Sequence, residues 1–165
     1  FDNCRFTGRL NMPKCKFFDF GVFYNSKFTG NLDLPECKLI LEDAFFNSEF
    51  TGTPNLPKCE RIGKKAFYSS LFSGDAIFPK CTEIGWNAFY NSNFSGILNI
   101  PKCKKIGWKA FLKSSFQQIN IGNNAKLDGY SCIGKHTDEF IDAYNKNKKK
   151  AGTYKWDGII WEYIN

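Results

Sequence analysis

A chain of 165 residues that is 42% hydrophobic and 18% aromatic has material for one core, and its 18 Phe make that core largely phenylalanine. No stretch of 18 apolar residues occurs, so no membrane-spanning helix is encoded and membrane insertion is not expected. Net charge is +7, from 17 basic and 11 acidic residues up to position 134 and 6 and 5 beyond it. The excess lies on the body of the chain rather than in a basic tail; it reads as solvated surface, with binding to an anionic polymer or membrane surface as the alternative, and no nucleic-acid partner is expected.

The chain repeats itself. Phe6, Phe28, Phe50, Phe72, Phe94 and Phe116 stand 22 residues apart, as do Cys15, Cys37, Cys59, Cys81 and Cys103, and Phe23, Phe45, Phe67, Phe89 and Phe111. A fixed period of this size marks a solenoid, in which each repeat buries its apolar face only by stacking on its neighbours. Residues 1–5 close a preceding turn. Phe1 fills the second Phe position, and Cys4 stands where later turns carry Ser26, Ser48, Ser70, Ser92 and Ser114. Because Phe1 is already on the period, the chain is expected to start inside a repeat, with more repeats or a targeting segment upstream.

Each full turn has three parts. The first, residues 28–35 in one case, opens on Phe and reaches Gly30, with Gly52, Gly74 and Gly96 its equivalents; these allow a corner, if need be at φ > 0. Alternation follows, with Leu10/Met12, Leu32/Leu34, Ala76/Phe78 and Leu98/Ile100 on one side and Asn11, Asp33, Ile77 and Asn99 on the other. It predicts a short strand with one buried face. Pro13, Pro35, Pro57, Pro79 and Pro101 stop that strand, and Pro54 predicts a poorer rung in the third turn. In the second part, Cys103 and Ile106 are expected to be buried, with a corner at Gly63, Gly85 and Gly107. In the third, Ala44, Ala66, Ala88 and Ala110 each precede Phe and predict one helical turn, closed by a Ser that bonds neighbouring backbone.

After Phe116 the register runs one residue short: Ile119 and Ile121 become the inward pair, Gly122 replaces Pro, Leu127 matches Ile106, and Ser131-Cys132 replaces Ala-Phe. Terminal repeats of solenoids depart from the pattern in this way. Residues 135–165 are expected to cap the coil. His136-Thr137-Asp138 predicts a helix start with Thr137 or Asp138 as N-cap, and Phe140, Ile141 and Tyr144 form its apolar stripe. The helix should fade between 146 and 151, before two strands flanking Asp157-Gly158, a two-residue hairpin signal.

Five of the seven Cys lie on the period, which is neither metal spacing nor a framework of paired half-cystines. Stacked in parallel about 4.7–4.9 Å apart, their side chains are too distant and too alike in direction to join. They are expected to form a ladder of buried free thiols, suited to a reducing cytosol or the surface of an anaerobe. His136 is the sole His, and no Ser-His-Asp or Cys-His arrangement, phosphate loop or dinucleotide motif is present. Cys132 and His136 lack two further ligands for a metal. No catalytic residue, metal or cofactor is expected.

The outward strand positions form columns that include Asn11, Asn31, Asp33, Thr53, Asn55, Asp75, Asn99 and Asn120, with Arg9, Ile77 and Ile97 among them. Extended repeat faces bind ligands, so these eight polar residues are the candidate ligand-binding set; the alternative is a solvated ladder bonded to itself. A second column, Tyr24, Phe46, Tyr68 and Tyr90, with Trp86 and Trp108 nearby, is either packing on the convex side or a sugar platform.

The segments IGWNAFYNS (84–92) and IGWKAFLKS (106–114), with L-x-I-P before the second, resemble the BspA-like leucine-rich repeat family over about residues 1–134. Cys4 stands at that family's terminal Cys position; later turns carry Ser there and add a Cys after each Pro. The tail, F-x-x-A-Y…A-G-T-Y-x-W…W, is similar to a short segment that follows such repeats. The expected fold is an α/β solenoid: a leucine-rich-repeat-like right-handed coil with a parallel sheet of short strands, short helical turns on the other side, and a C-terminal helix plus β-hairpin cap. Residues 1–134 would be the solenoid, truncated at its N-terminus, and 135–165 the cap. The resemblance implies a surface or secreted protein of bacteria or some protists, active in adhesion and binding of host proteins. A non-enzymatic, monomeric module for a protein or glycan ligand is therefore expected; a structural spacer carrying another domain is the alternative.

Overall fold

The computed structural model describes residues 6–129 and 131–164. The positions noted at Phe1 and Cys4 lie outside the described residues. In chain order the elements are β1 (Thr7–Gly8), β2 (Phe17–Phe18), β3 (Lys27–Asp33), β4 (Leu39–Ile40), β5 (Glu49–Asn55), β6 (Arg61–Ile62), β7 (Leu71–Ile77), β8 (Glu83–Ile84), β9 (Asn93–Ile100), β10 (Lys105–Ile106), β11 (Gln118–Ile121), β12 (Lys126–Leu127), α1 (Thr137–Lys146), β13 (Gly152–Trp156) and β14 (Trp161–Tyr163). They wind as a coil of about six rungs with two parallel ladders. The odd strands β1 to β11 lie side by side in one sheet, continued by β13 and β14, and the even strands β2 to β12 form the other.

The core is two stacks of phenylalanine. Phe28, Phe50, Phe72, Phe94 and Phe116 follow one another with ring centroids 5.9–6.1 Å apart and nearly parallel planes. Phe45, Phe67, Phe89 and Phe111 make a second stack at 5.2–5.4 Å. Between stacks the rings meet edge to face, as in Phe67–Phe72 at 5.5 Å and 77°. Each ring thus presents its face along the coil and its edge across it, the two geometries that the ring quadrupole favours. Leu34, Leu56, Phe78, Ile100 and Ile121 close one side, and Ile40, Ile62, Ile84 and Ile106 the other; all are buried.

The long strands begin earlier than alternation after the glycine suggests. Burial alternates unbroken from Phe28 through Leu32 to Leu34, so Gly30 lies inside β3 and is no corner before it. Gly30, Gly52 and Gly74 have φ of 76°, 68° and 72°. There the pairing slips: Gly30 faces Phe50, a step of 20, whereas Asp33 faces Asn55, a step of 22. Glycine supplies the left-handed residue that such a bulge needs. Pro54 leaves β5 at seven residues, but the β5–β7 register holds only at Thr51–Leu71 and Gly52–Phe72. That is the poorer rung, since Pro has no N–H to donate.

The two-residue ladder was not legible in the sequence. Its Gly63, Gly85 and Gly107 keep negative φ or extended backbone and are there for space. A Cβ on Gly63 would lie 2.5 Å from the backbone N of Glu42, and one on Gly85 2.5 Å from that of Lys64.

The third side also departs from expectation, because it contains no helical turn. Four of the rungs pass through consecutive turns with two residues at positive φ, Asp43 (57°) and Asn47 (65°) in one, Asn87 (54°) and Asn91 (78°) in another; the next has Lys109 alone. A helix would bond each N–H within its own rung. Here the N–H groups of Asp43, Phe45 and Asn47 donate to Lys64, Ala66 and Tyr68 of the next rung, each at 2.9 Å. The serines complete this side. Ser48, Ser70, Ser92 and Ser114 are fully buried, and each hydroxyl donates to the carbonyl of the Ser one rung back, at 3.1–3.3 Å.

The last rung steps by 21, with Gln118 opposite Ile97 and Ile119 and Ile121 buried. β13 then pairs antiparallel with β11, from Gln118–Lys155 to Ile121–Gly152, and β14 pairs with β13. The helix starts as expected, but Thr137 is its first residue and not its cap. His136 precedes it in left-handed conformation with no side-chain capping bond, while the Thr137 hydroxyl donates to Gly134 O at 2.7 Å. Phe140 and Tyr144 are buried, and Ile141 is half-buried. The hairpin closes at Trp156–Trp161 around four residues rather than two. Asp157 causes this: its Oδ1 accepts the N–H of both Ile159 (2.7 Å) and Ile160 (2.8 Å). Those bonds hold its carboxyl below the ordinary carboxylate range.

Three outcomes are expected. Phe67→Ala, in the middle of its stack, should destabilise the chain by about 3–5 kcal/mol in urea unfolding. Phe20→Ala, at a ring 66% exposed, should stay within about 0.5 kcal/mol. Deleting residues 135–165 bares the β11 edge and should bring a lower melting temperature and self-association in light scattering; a truncated chain that stays monomeric with unchanged melting would show that the tail covers nothing.

Candidate functional site

The outward positions of the long strands lie in a shallow concavity of about 840 Å³ lined by Arg9, Asn11, Asn31, Asp33, Thr53 and Asn55, with Thr51 at its side. Its shape follows from the bulge glycines. The side chain of each preceding outward residue folds over the next rung's glycine, Arg9 over Gly30, Asn31 over Gly52 and Thr53 over Gly74. Past the bulge the repeat register is restored, so Asp33 and Asn55 stand directly opposite, and Asn55 Nδ2 donates to Asp33 Oδ1 at 2.7 Å. The Thr53 hydroxyl reaches Ser73 O at 3.4 Å.

Five of the eight candidate residues, Asn11, Asn31, Asp33, Thr53 and Asn55, are thus exposed and line one concavity. The other three are half-buried and lie outside it. Asp75 Oδ1 accepts the N–H of Ile97 at 2.7 Å, and Asn120 Nδ2 donates to Asn99 Oδ1 at 3.0 Å. Arg9 and Thr51 belong to the concavity as well. Thr51 precedes its glycine, and the unbroken Phe-Thr-Gly alternation was the signal for it.

The aromatic column is a stack. Tyr24–Phe46, Phe46–Tyr68 and Tyr68–Tyr90 lie 4.8, 4.9 and 4.6 Å apart with planes within 15°. Phe46 and Tyr68 therefore have both faces covered by neighbouring rings, whereas a sugar platform needs a free face. Burial, with the adjacent Tyr90, pushes the Tyr68 hydroxyl up. Trp86 and Trp108 are exposed; the Trp86 indole donates to Asp128 Oδ2 at 3.4 Å two rungs on, and the Lys109 ammonium lies 4.1 Å over the Trp108 ring.

The thiols stand free, Cys15 half-buried and Cys37, Cys59, Cys81, Cys103 and Cys132 buried. The five on the period donate to the carbonyl two residues on, as Cys81 does to Glu83 O at 3.2 Å. Burial pushes Cys81 up, Cys103 to about 11 and Cys132 to about 12. A thiol held protonated is no nucleophile. His136 stacks on Trp156 at 4.2 Å with its Nδ1 3.7 Å from Glu139, remote in sequence from the period cysteines. Among the described residues no three His, Cys, Asp or Glu side chains converge as a metal site.

The model of the BspA type leucine rich repeat region matches residues 16–137 in six copies, and the chain belongs to that family. No curated protein and no solved structure matches it. Repeats of this type are interaction or structural modules. No helix among the described residues is long and apolar enough to cross a membrane.

The thiols give a test. At pH 8 a thiol reagent should leave the five buried cysteines unlabelled until denaturant is added. The folded-state values of Cys81, Cys103 and Cys132 lie above the ordinary 9.0, so at these three the native chain holds protons that the unfolded chain releases. This contribution to stability is full below about pH 9 and is lost as the pH climbs through about 11 to 12. Urea midpoints should fall over that window.

Proposed function

We propose that this chain is a non-enzymatic adhesion module, carried outside the cell, whose long-strand face takes an extended polar ligand, a protein segment or a glycan chain. Residues 1–134 form the binding coil and 135–165 its cap, acting as a monomer. The observation that carries this reading is the concavity at Arg9, Asn11, Asn31, Asp33, Thr53 and Asn55, where three rungs present amide, carboxylate, hydroxyl and guanidinium groups side by side. Rungs about 4.8 Å apart suit a ligand that meets each one in turn, its affinity summed from many small contacts.

The spacer reading has its own support. The C-terminal half of the face is bonded to itself, and charges pair from rung to rung at Lys27–Glu49 (2.9 Å), Lys58–Glu36 (2.6 Å) and Lys64–Glu42 (2.7 Å). Exposed pairs of this kind add little stability but leave a surface with few unmet groups. On that reading the coil holds another domain away from its anchor.

Changing Asp33, Asn55 and Asn99 together to Lys separates the two. On a glycan array and a panel of host surface proteins, the parent chain should bind and the triple variant should not, with circular dichroism unchanged. A parent chain that binds nothing leaves the spacer reading standing.

A further inference from the structure

The cap does not end the long-strand sheet; it moves the free edge to β14. That strand pairs with β13 alone among the described residues, and the Ile164 N–H donates to Thr153 O at 2.9 Å. Antiparallel alternation therefore turns the backbone groups of Glu162 and Ile164 toward β13 and those of Trp161 and Tyr163 outward. Soluble proteins guard such edges with charge, proline, bulges or a covering element. This one is bordered instead by Ile159, Ile160 and Ile164, which are 80%, 53% and 50% exposed.

Helix α1 runs along the open edge. Glu139, Asp142, Ala143 and Lys146, at i, i+3, i+4 and i+7, form one stripe. With Ile160 and Trp161 they line a groove of about 820 Å³ between helix and strand. The neighbouring stripe holds the helix in place: Phe140 meets Trp161 at 5.4 Å, and the Trp161 indole donates to His136 O. Ala143 leaves depth where a longer side chain would fill the groove. Glu139, Asp142 and Glu162 outnumber Lys146 there, so the groove is acidic on a chain whose net charge is +7.

We propose that this groove binds an extended peptide of another protein, with Lys or Arg alternating with apolar residues, which pairs with β14 as a further strand. Backbone bonds to Trp161 and Tyr163 supply register-specific affinity. Basic side chains on the helix side reach Glu139 and Asp142, and the apolar ones between them turn to the opposite face, beside the exposed Ile164. A second copy of the chain fits poorly, because two-fold pairing of β14 would bring like-charged Glu162 and acidic helix stripes together.

The probe is a fluorescently labelled heptapeptide of alternating Lys and Val, blocked at both ends and titrated into the full chain at low salt. Saturable anisotropy is expected. The alternating Glu–Val peptide, and the Glu139→Lys/Asp142→Lys variant with unchanged circular dichroism, should each bind at least roughly tenfold more weakly. N-methylation of the peptide at every other residue should abolish binding in one register and spare it in the other, which charge attraction alone would not produce. The Asp33, Asn55 and Asn99 to Lys variant should bind the peptide as the parent does, which separates this groove from the sheet face. No saturable binding, equal binding of the Glu–Val peptide, equal loss in both methylation registers, or a native dimer dissociated by Ala143→Arg would each overturn the proposal.

Discussion

The structure depends on one requirement, that a phenylalanine ring in each rung lie face to face with its equivalents on either side. Ring centroids 5.2 to 6.1 Å apart hold the rungs at the spacing of a parallel sheet, and everything else must fit that pitch. At that distance Gly63 and Gly85 have no room for a Cβ. Small buried residues such as Ala66 and Ser70 sit where the backbones come together. Polar groups are satisfied rung to rung, through the serine hydroxyls and the N–H groups of the third side. Stability is therefore shared between neighbours, and no single rung could stand alone.

How far the sequence could be read follows from the same fact. Inward Phe, Leu and Ile were legible because each recurs at one step and alternates with polar neighbours. The even ladder was not, since strands as short as Leu39–Ile40 are too brief to show alternation. The third side looked helical because Ala44-Phe45 and Ser48 have helical spacing. The contrary sign was Asn at 25, 47 and 91, a residue that tolerates the left-handed conformation; Lys65 and Lys109 adopt it with no such signal. The outward columns could be found by counting in twos. Their division into an exposed concavity and a half-buried C-terminal part could not, because it depends on how far neighbouring rungs cover each outward side chain.

The exposed strand face and the β14 edge differ in form. Over the first three rungs the strand face sets exposed amide, carboxylate, hydroxyl and guanidinium groups side by side, which suits weak contacts added along a length. At β14 a short strand and an acidic helix stripe occur once, without repetition. An arrangement of the first kind would distinguish ligands by extent, one of the second kind by charge and direction.

The reversal at β13 also bears on how such a chain changes over generations. Every ordinary rung offers the same rings above and below, so duplication of one 22-residue unit within the regular series meets matching partners on both sides. After Gln118 it does not: the step is 21, the following strand runs the other way, and a duplicated unit would meet an antiparallel neighbour with no matching rings. A 22-residue unit can therefore be added within the regular series without leaving rings unmatched, but not beyond Gln118.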